Sequence, residues 1–500
     1  MKAILGFSIC LTLTGVTLVT GAKRPPVPHA DTPEHAGVSP TNAAETAAAD
    51  THAAEAAAVS YDEVQRVLDA KCVRCHSGPE AARGLRLDSW SALTAGSDHG
   101  EAIIAFDARR SLLVELTTKL VGGPHPAELG ANVLDEGEVT LLSDWIDEGA
   151  PSEDGEIPFA DANQLLYAAN QSMAVVSVID METNMVVRTV DLQSLGLREN
   201  AFPHHIAVEP DGSHWYLSLI AANRILKFDR NNELVQGIDF VRPGLLALDP
   251  EGENLFAARS MAAVSPPQAI GVIRRSDMSF EEVGVFIARP HALAVRPGTG
   301  TVYTASLSAN QIALFYPEDE AIDLGTLEGD RPHTIIGFAI SPDGRWMVGT
   351  TELTATVFVF DLDREPDMTP VDTIAVNAAP WHPVFTPDGR WVYVGNNWDN
   401  TVSVIDMETR TLAKVIEGDG LAQPHGAAVS PDGRFAYISS RNLEMPEGHS
   451  KYEHMYTPRY DLGDNARAGT VVVIDTETQS IVKVIEIEGY GAGLGTAARN

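Results

Sequence analysis

The residues with the clearest chemical potential are five in a row, Cys72-Val73-Arg74-Cys75-His76. A Cys-x-x-Cys-His run is the attachment signature of a c-type haem. Two thiols two residues apart on one turn can both reach the vinyl groups of a single porphyrin. The histidine that follows then offers its imidazole to the iron as proximal ligand. A zinc site would need further Cys or His at matching spacing, and no second Cys-x-x-Cys occurs in the chain. A redox dithiol would sit in a βαβ setting and has no need of the adjacent histidine.

A second set of histidines recurs farther along. His204, His291 and His425 each follow a proline and each precede another proline by six residues. His205, His333 and His382 stand near equivalent places but out of phase, and Pro243-Gly244 breaks the pattern. Three readings are open for these six imidazoles. They could gather around copper or a second haem, since imidazole suits copper, zinc and iron. They could be a structural feature of a repeat, capping strand starts. They could line a site for a small molecule or peptide without metal.

The elements that must position these residues follow from composition and periodicity. The chain has 500 residues, enough for two or three domains, and 44% of them are hydrophobic. Its formal charge of −34 repels nucleic acid and anionic membrane, and it suits solubility and the steering of a basic redox partner protein. Lys2 and the apolar run Ala3 to Val19, closed by Thr20-Gly21-Ala22, read as an export signal over 1–22. An uncleaved anchor is the alternative. Export puts the protein in a periplasm or outside the cell, where c-type haem is attached. Residues 23–58 are rich in Ala, Pro, Thr and acid and read as a disordered linker. With Cys72 and Cys75 committed to haem, only Cys10 in the signal is left, so the mature fold has no disulfide.

Residues 59–150 read as a small helical domain. Val64, Val67 and Leu68 mark a helical face leading into the haem motif, and Val139, Leu141, Leu142, Trp145 and Ile146 mark another that stops at Gly149. The order Cys-x-x-Cys-His, GLRLDSWSAL, RRSLLVEL, LLSDWIDEGA resembles the planctomycete-type cytochrome c domain. That resemblance implies an all-α fold and one covalent haem c. Such domains often supply a methionine as second axial ligand, yet no Met lies between residues 60 and 150. The corresponding segment reads Gly122-Gly123-Pro124-His125-Pro126, which makes His125 the expected distal ligand. His99 is the alternative, and a five-coordinate or water-bound iron is the third option.

After an acidic linker, residues 160–498 are repetitive. Turn prolines at 210, 250, 297, 342, 387 and 431 are spaced by 40, 47, 45, 45 and 44 residues, the period of a four-stranded propeller blade. Six blades begin near 202, 242, 289, 332, 379 and 423. A seventh takes three strands from Leu165 to Leu192 and its innermost strand from Ala492 to Ala497. The repeats resemble the Tyr-Val-Thr-Asn family of propellers, with Tyr393-Val394-Gly395-Asn396 as the closest match. Propellers of this kind hold d-type haem or copper in some relatives and nothing in others. An insertion over 442–468 carries His449 and His454, which could fold over the histidine-lined mouth.

The fold expected is therefore a small all-α cytochrome c domain followed by an all-β seven-bladed β-propeller, in a monomer. Its expected function is electron transfer. The propeller is either a second redox centre fed by the cytochrome or a non-catalytic scaffold for a partner or surface, with the cytochrome as tethered shuttle.

Overall fold

A computed structural model describes residues 58–121, 125, 133–443, 455–463 and 467–497. The export signal, all but the last residue of the linker, His449 and His454 lie outside the described residues.

The propeller has seven four-stranded antiparallel sheets. Its turns form for a local reason. In each Pro-Asp-Gly turn the Asp carboxylate caps the tip, as where Asp432 accepts from Ser430 Oγ at 2.6 Å and from the Arg434 amide at 3.0 Å. The following glycine then takes a left-handed conformation, with φ of 68° at Gly212 and 74° at Gly433. The ring closes as the chain order requires. Gly491–Thr496 pairs antiparallel with Leu165–Asn170, so one sheet is built from both ends of the domain and no inner edge is left open.

Every inner strand starts in the same way. The residue before it is left-handed in all seven blades: Phe202, Arg242, Arg289, Thr334, Ala379, Gln423 and Tyr490, with φ between 49° and 64°. A register shift follows at once, for example between Pro203 and Ile206 and between Pro424 and Ala427. Such a bulge places extra residues opposite one partner and re-aims their side chains.

The segment before the propeller holds four α-helices among its described residues: α1 (Tyr61–Lys71), α2 (Trp90–Thr94), α3 (Leu112–Thr118) and α4 (Glu136–Asp147). Capping boxes start α1 at Ser60/Glu63 and α4 at Asp135/Glu138. Val64 and Leu68 of α1 share one core with Leu142, Trp145 and Ile146 of α4.

This segment is packed onto the propeller as part of one compact unit over Ala57–Asn500. Ile104 enters the core of blades six and seven beside Leu166, Val186 and Val471. Arg467, 4% exposed, pairs with Glu101 at 2.6 Å and Glu115 at 3.4 Å, both buried. Arg110 reaches Asp191 and Glu488 of the propeller at 3.4 Å each. Burial pushes the Glu115 carboxyl up, and the Arg467 and Lys119 charges oppose that shift. The described part of the insertion also turns to this segment: Val121 donates its amide to the Asp461 carbonyl at 2.8 Å.

Removing one member of a buried ion pair strands the others. Arg467→Ala is expected to lower unfolding stability by about 3–5 kcal/mol, measured by denaturant titration. Arg467→Met combined with Glu101→Gln and Glu115→Gln should recover most of that loss.

Candidate functional site

Helix α1 runs directly into the Cys-x-x-Cys-His motif. The Cys72 amide still donates to Leu68 at 2.8 Å, and the Cys75 and His76 amides both donate to the Cys72 carbonyl at 3.0 Å. One tight turn thus carries both thiols and the imidazole. Cys72 is half-buried and Cys75 exposed, and neither is in a disulfide. Burial, above the effect of nearby Glu138, pushes the Cys72 thiol up to about 11.

His76 Nδ1 lies 3.3 Å from the Leu85 carbonyl. A carbonyl only accepts, so the proton belongs on Nδ1 and the Nε2 lone pair is left for a ligand bond. The His125 ring faces it, with centroids 6.1 Å apart and planes tilted by 36°. Two imidazoles on one metal, each bonded at about 2 Å with its ring centre roughly 1 Å farther, would stand about 6 Å apart. The separation of the pair is close to that distance. For His99, the alternative distal residue, Nδ1 is 2.7 Å from the Tyr460 hydroxyl and the backbone carbonyl accepts from Arg459 at 3.2 Å.

The second set of histidines sits on the bulges at the starts of the inner strands. His204 and His205 follow Pro203, His291 follows Pro290, Trp381 and His382 follow Pro380, and His425 follows Pro424. The bulges gather these rings. His204 and His425 have centroids 5.4 Å apart, His382 and His425 5.1 Å, and His205 and His382 6.1 Å. Trp381 stands in the slot that other blades give to histidine, and its ring lies 4.8 Å from that of His425. Arg441 lies over Trp381 at 5.1 Å and over Tyr490 at 4.2 Å.

His333 is set apart because it precedes the left-handed residue Thr334 rather than following it. Its ring bonds Thr354 at 3.1 Å and the Glu328 carbonyl at 2.7 Å. The structure thus brings four of the six expected imidazoles into ring contact, while His291 bonds the Arg259 carbonyl through Nδ1 at 2.8 Å. Among the described residues, no group of three or more His, Cys, Asp or Glu is arranged to hold a metal ion.

Sequence reading missed Trp381 and Arg441. Aligning the strands on their first proline would have found Trp381. Arg441 follows the second strand of its blade and carries no repeat signal.

Burial holds the cluster neutral. It lowers His205 and His291 to about 4, and the His291 imidazole adds to the effect on His205. His204, His382 and His425 are held well below the ordinary histidine range by burial, then by one another and Arg441. The unfolded chain takes up protons near pH 6.5 while the folded chain refuses them. Stability is therefore expected to be intact above about pH 6.5 and to fall as pH drops from there toward 4. Urea midpoints across that window test this, and His291→Gln should flatten the slope.

Comparison with known proteins agrees with both halves. Residues 72–122 match the planctomycete cytochrome C family, and residues 232–454 match the seven-bladed lactonase β-propeller family. A 6-phosphogluconolactonase of Pectobacterium atrosepticum is 24% identical over 257 residues, which are 48% of this chain and 64% of that enzyme. The chain thus spans less than two thirds of that relative's length. Among solved structures, a protein of unknown function from Desulfotomaculum acetoxidans aligns at TM-score 0.52 and 14% identity, covering 67% of this chain and 99% of that one. A dihydro-heme d1 dehydrogenase aligns at TM-score 0.45 and 12% identity, over 87% of this chain and 98% of that one. The chain joins a segment that matches the planctomycete cytochrome C family to a seven-bladed β-propeller.

Proposed function

We propose that this is an exported electron-transfer protein carrying one covalent c-type haem. In this reading Cys72 and Cys75 hold the thioether bonds, His76 is the proximal ligand and His125 the distal one. The observation that carries it is the His76 ring, with Nδ1 turned to the Leu85 carbonyl, facing His125 at 6.1 Å. A haem bound there supplies reversible one-electron transfer at its iron. The chain's own part is to orient and enclose. The Leu85 carbonyl fixes the His76 tautomer, and Val73, Leu85, Trp90 and Leu134 belong to the apolar core around the motif. A haem held by both His76 and His125 would favour electron transfer over binding of a gas or substrate.

The buried Arg467 cluster supports a cytochrome held in place on the propeller rather than a shuttle swinging on a tether. A fixed cytochrome suits a conduit, with a basic redox partner drawn by the charge of −34. Export is supported by the N-terminal apolar run and by the haem motif itself. Among the described residues, no helix is long and apolar enough to cross a membrane.

Protein matured in a host that attaches c-type haem should keep its pigment through acid-acetone extraction and hold one iron per chain. His125→Ala should convert a low-spin spectrum to a high-spin one. His125→Met should raise the reduction potential by on the order of 100 mV or more, within the roughly 0.8 V that axial ligands span. A low-spin spectrum unchanged in His125→Ala contradicts the distal assignment.

A further inference from the structure

We infer that a cavity between the seventh blade and the first binds a small organic acid, its carboxylate on Arg188 and Tyr167 and its apolar or aromatic body against Phe106 and Phe159. This goes beyond the electron-transfer reading and does not rest on it.

The first support is the cavity itself. Its volume is about 380 Å³, within the roughly 300–1,000 Å³ of small-molecule sites. Three parts of the chain build it. The seventh blade supplies the floor, where Tyr167, Val178 and Arg188 lie opposite one another on three adjacent strands and so share one face. Val178 is short and its two neighbours are long, which leaves a hollow between them. Turns of the first blade, at Gly212 and Arg230, form one wall, and Phe106 and Phe159 form the other. Phe106 is 55% exposed and held in left-handed backbone with φ of 69°, and Phe159 is left-handed too, with φ of 56°. A Cβ on Gly149 would meet the Phe106 ring at 2.7 Å, so that glycine makes room for it. Strained backbone that keeps an apolar ring in solvent is a feature of ligand clamps.

The second support is a set of unspent hydrogen-bond donors. Tyr167 is 3% exposed and lines the cavity, and its hydroxyl has no hydrogen-bond partner among the described residues. Its ring is stacked on Trp215, with centroids 4.8 Å apart, so the hydroxyl is held in one direction. Arg188 donates to the Val187 carbonyl at 2.6 Å and to the Pro158 carbonyl at 2.7 Å. A guanidinium has five N–H donors in a planar fork, and those two bonds leave the rest for a ligand.

The third support is the sign of the charge. Burial pushes the Arg188 guanidinium down, and no carboxylate among the described residues offsets it. Arg110 and Arg467, also buried, differ: carboxylates surround them and push them up. Arg230 on the rim adds a second positive charge and acts on Tyr167. Asp211 lines the cavity and Asp229 acts on Tyr167, but both carboxylates serve their own turns. Asp211 accepts from the Ser213 amide at 2.8 Å, and Asp229 accepts from the Asn231 and Glu233 amides at 2.9 Å each. A cation here would meet a buried guanidinium, and a neutral ligand would leave that charge uncompensated. A carboxylate meets the guanidinium fork and the phenol together. A bare inorganic anion would leave both Phe rings uncovered.

The test is calorimetric titration of the full haem-loaded chain with sodium benzoate, sodium acetate and benzyl alcohol. Benzoate has both the charged head and the body, acetate lacks the body, and benzyl alcohol lacks the charge. Saturable one-to-one binding of benzoate is expected, with acetate and benzyl alcohol each weaker by about tenfold or more. Arg188→Gln should weaken benzoate by about tenfold or more. Tyr167→Phe keeps the ring on Trp215, and with it the fold, and should weaken benzoate by roughly three- to tenfold. That variant decides the matter should Arg188→Gln fail to fold. No saturable binding of benzoate overturns the inference. So does benzyl alcohol binding as tightly as benzoate, or benzoate affinity unchanged in Tyr167→Phe or in folded Arg188→Gln.

Discussion

A guanidinium buried between two buried carboxylates holds this molecule together in its working form. Arg467 belongs to the propeller chain, and Glu101 and Glu115 belong to the helical segment more than 350 residues earlier. None of the three charges tolerates that burial alone, because desolvation of a single ion costs several kcal/mol. They are tolerable only while the two parts stay docked. The apolar contact of Ile104 with blades six and seven adds area to the same interface. The docked arrangement makes the Cys-x-x-Cys-His segment a fixed feature of the propeller wall, and the functional reading rests on that fixity.

Two imidazole arrangements stand in different surroundings within one chain. Near the Cys-x-x-Cys-His turn, a single hydrogen bond to the Leu85 carbonyl frees one nitrogen of His76 toward a facing ring. That arrangement supports the proposed ligand role. In the propeller, burial keeps the clustered imidazoles neutral, and the charge of Arg441 adds to that at His204, His382 and His425. Equal residue types, placed in different fields, take different roles.

Much of the architecture was legible before any coordinates. The spacing of the turn prolines counted the blades because the turns are local events, four of the six decided by an Asp cap and a left-handed glycine. Ring closure by the last strand was legible because the N-terminal sheet was one strand short. The haem motif was legible because its spacing is short. What escaped were features without local signature. The left-handed residue and bulge that open every inner strand involve Phe, Arg, Thr, Ala, Gln and Tyr, so no residue type announces them. Without the bulge, His333 could not be told from His382, although one is held on a loop by Thr354 and the other joins the cluster. The contact of His99 with Tyr460 spans 361 residues and involves an insertion outside the repeat.

The central claim is that two histidines of the docked segment face one another across a haem iron. Near-infrared magnetic circular dichroism of the oxidised wild-type protein reads the identity of axial ligands directly. The account predicts the low-spin charge-transfer band of paired imidazoles. A band of histidine with methionine, or a high-spin spectrum with water at the sixth position, would contradict it.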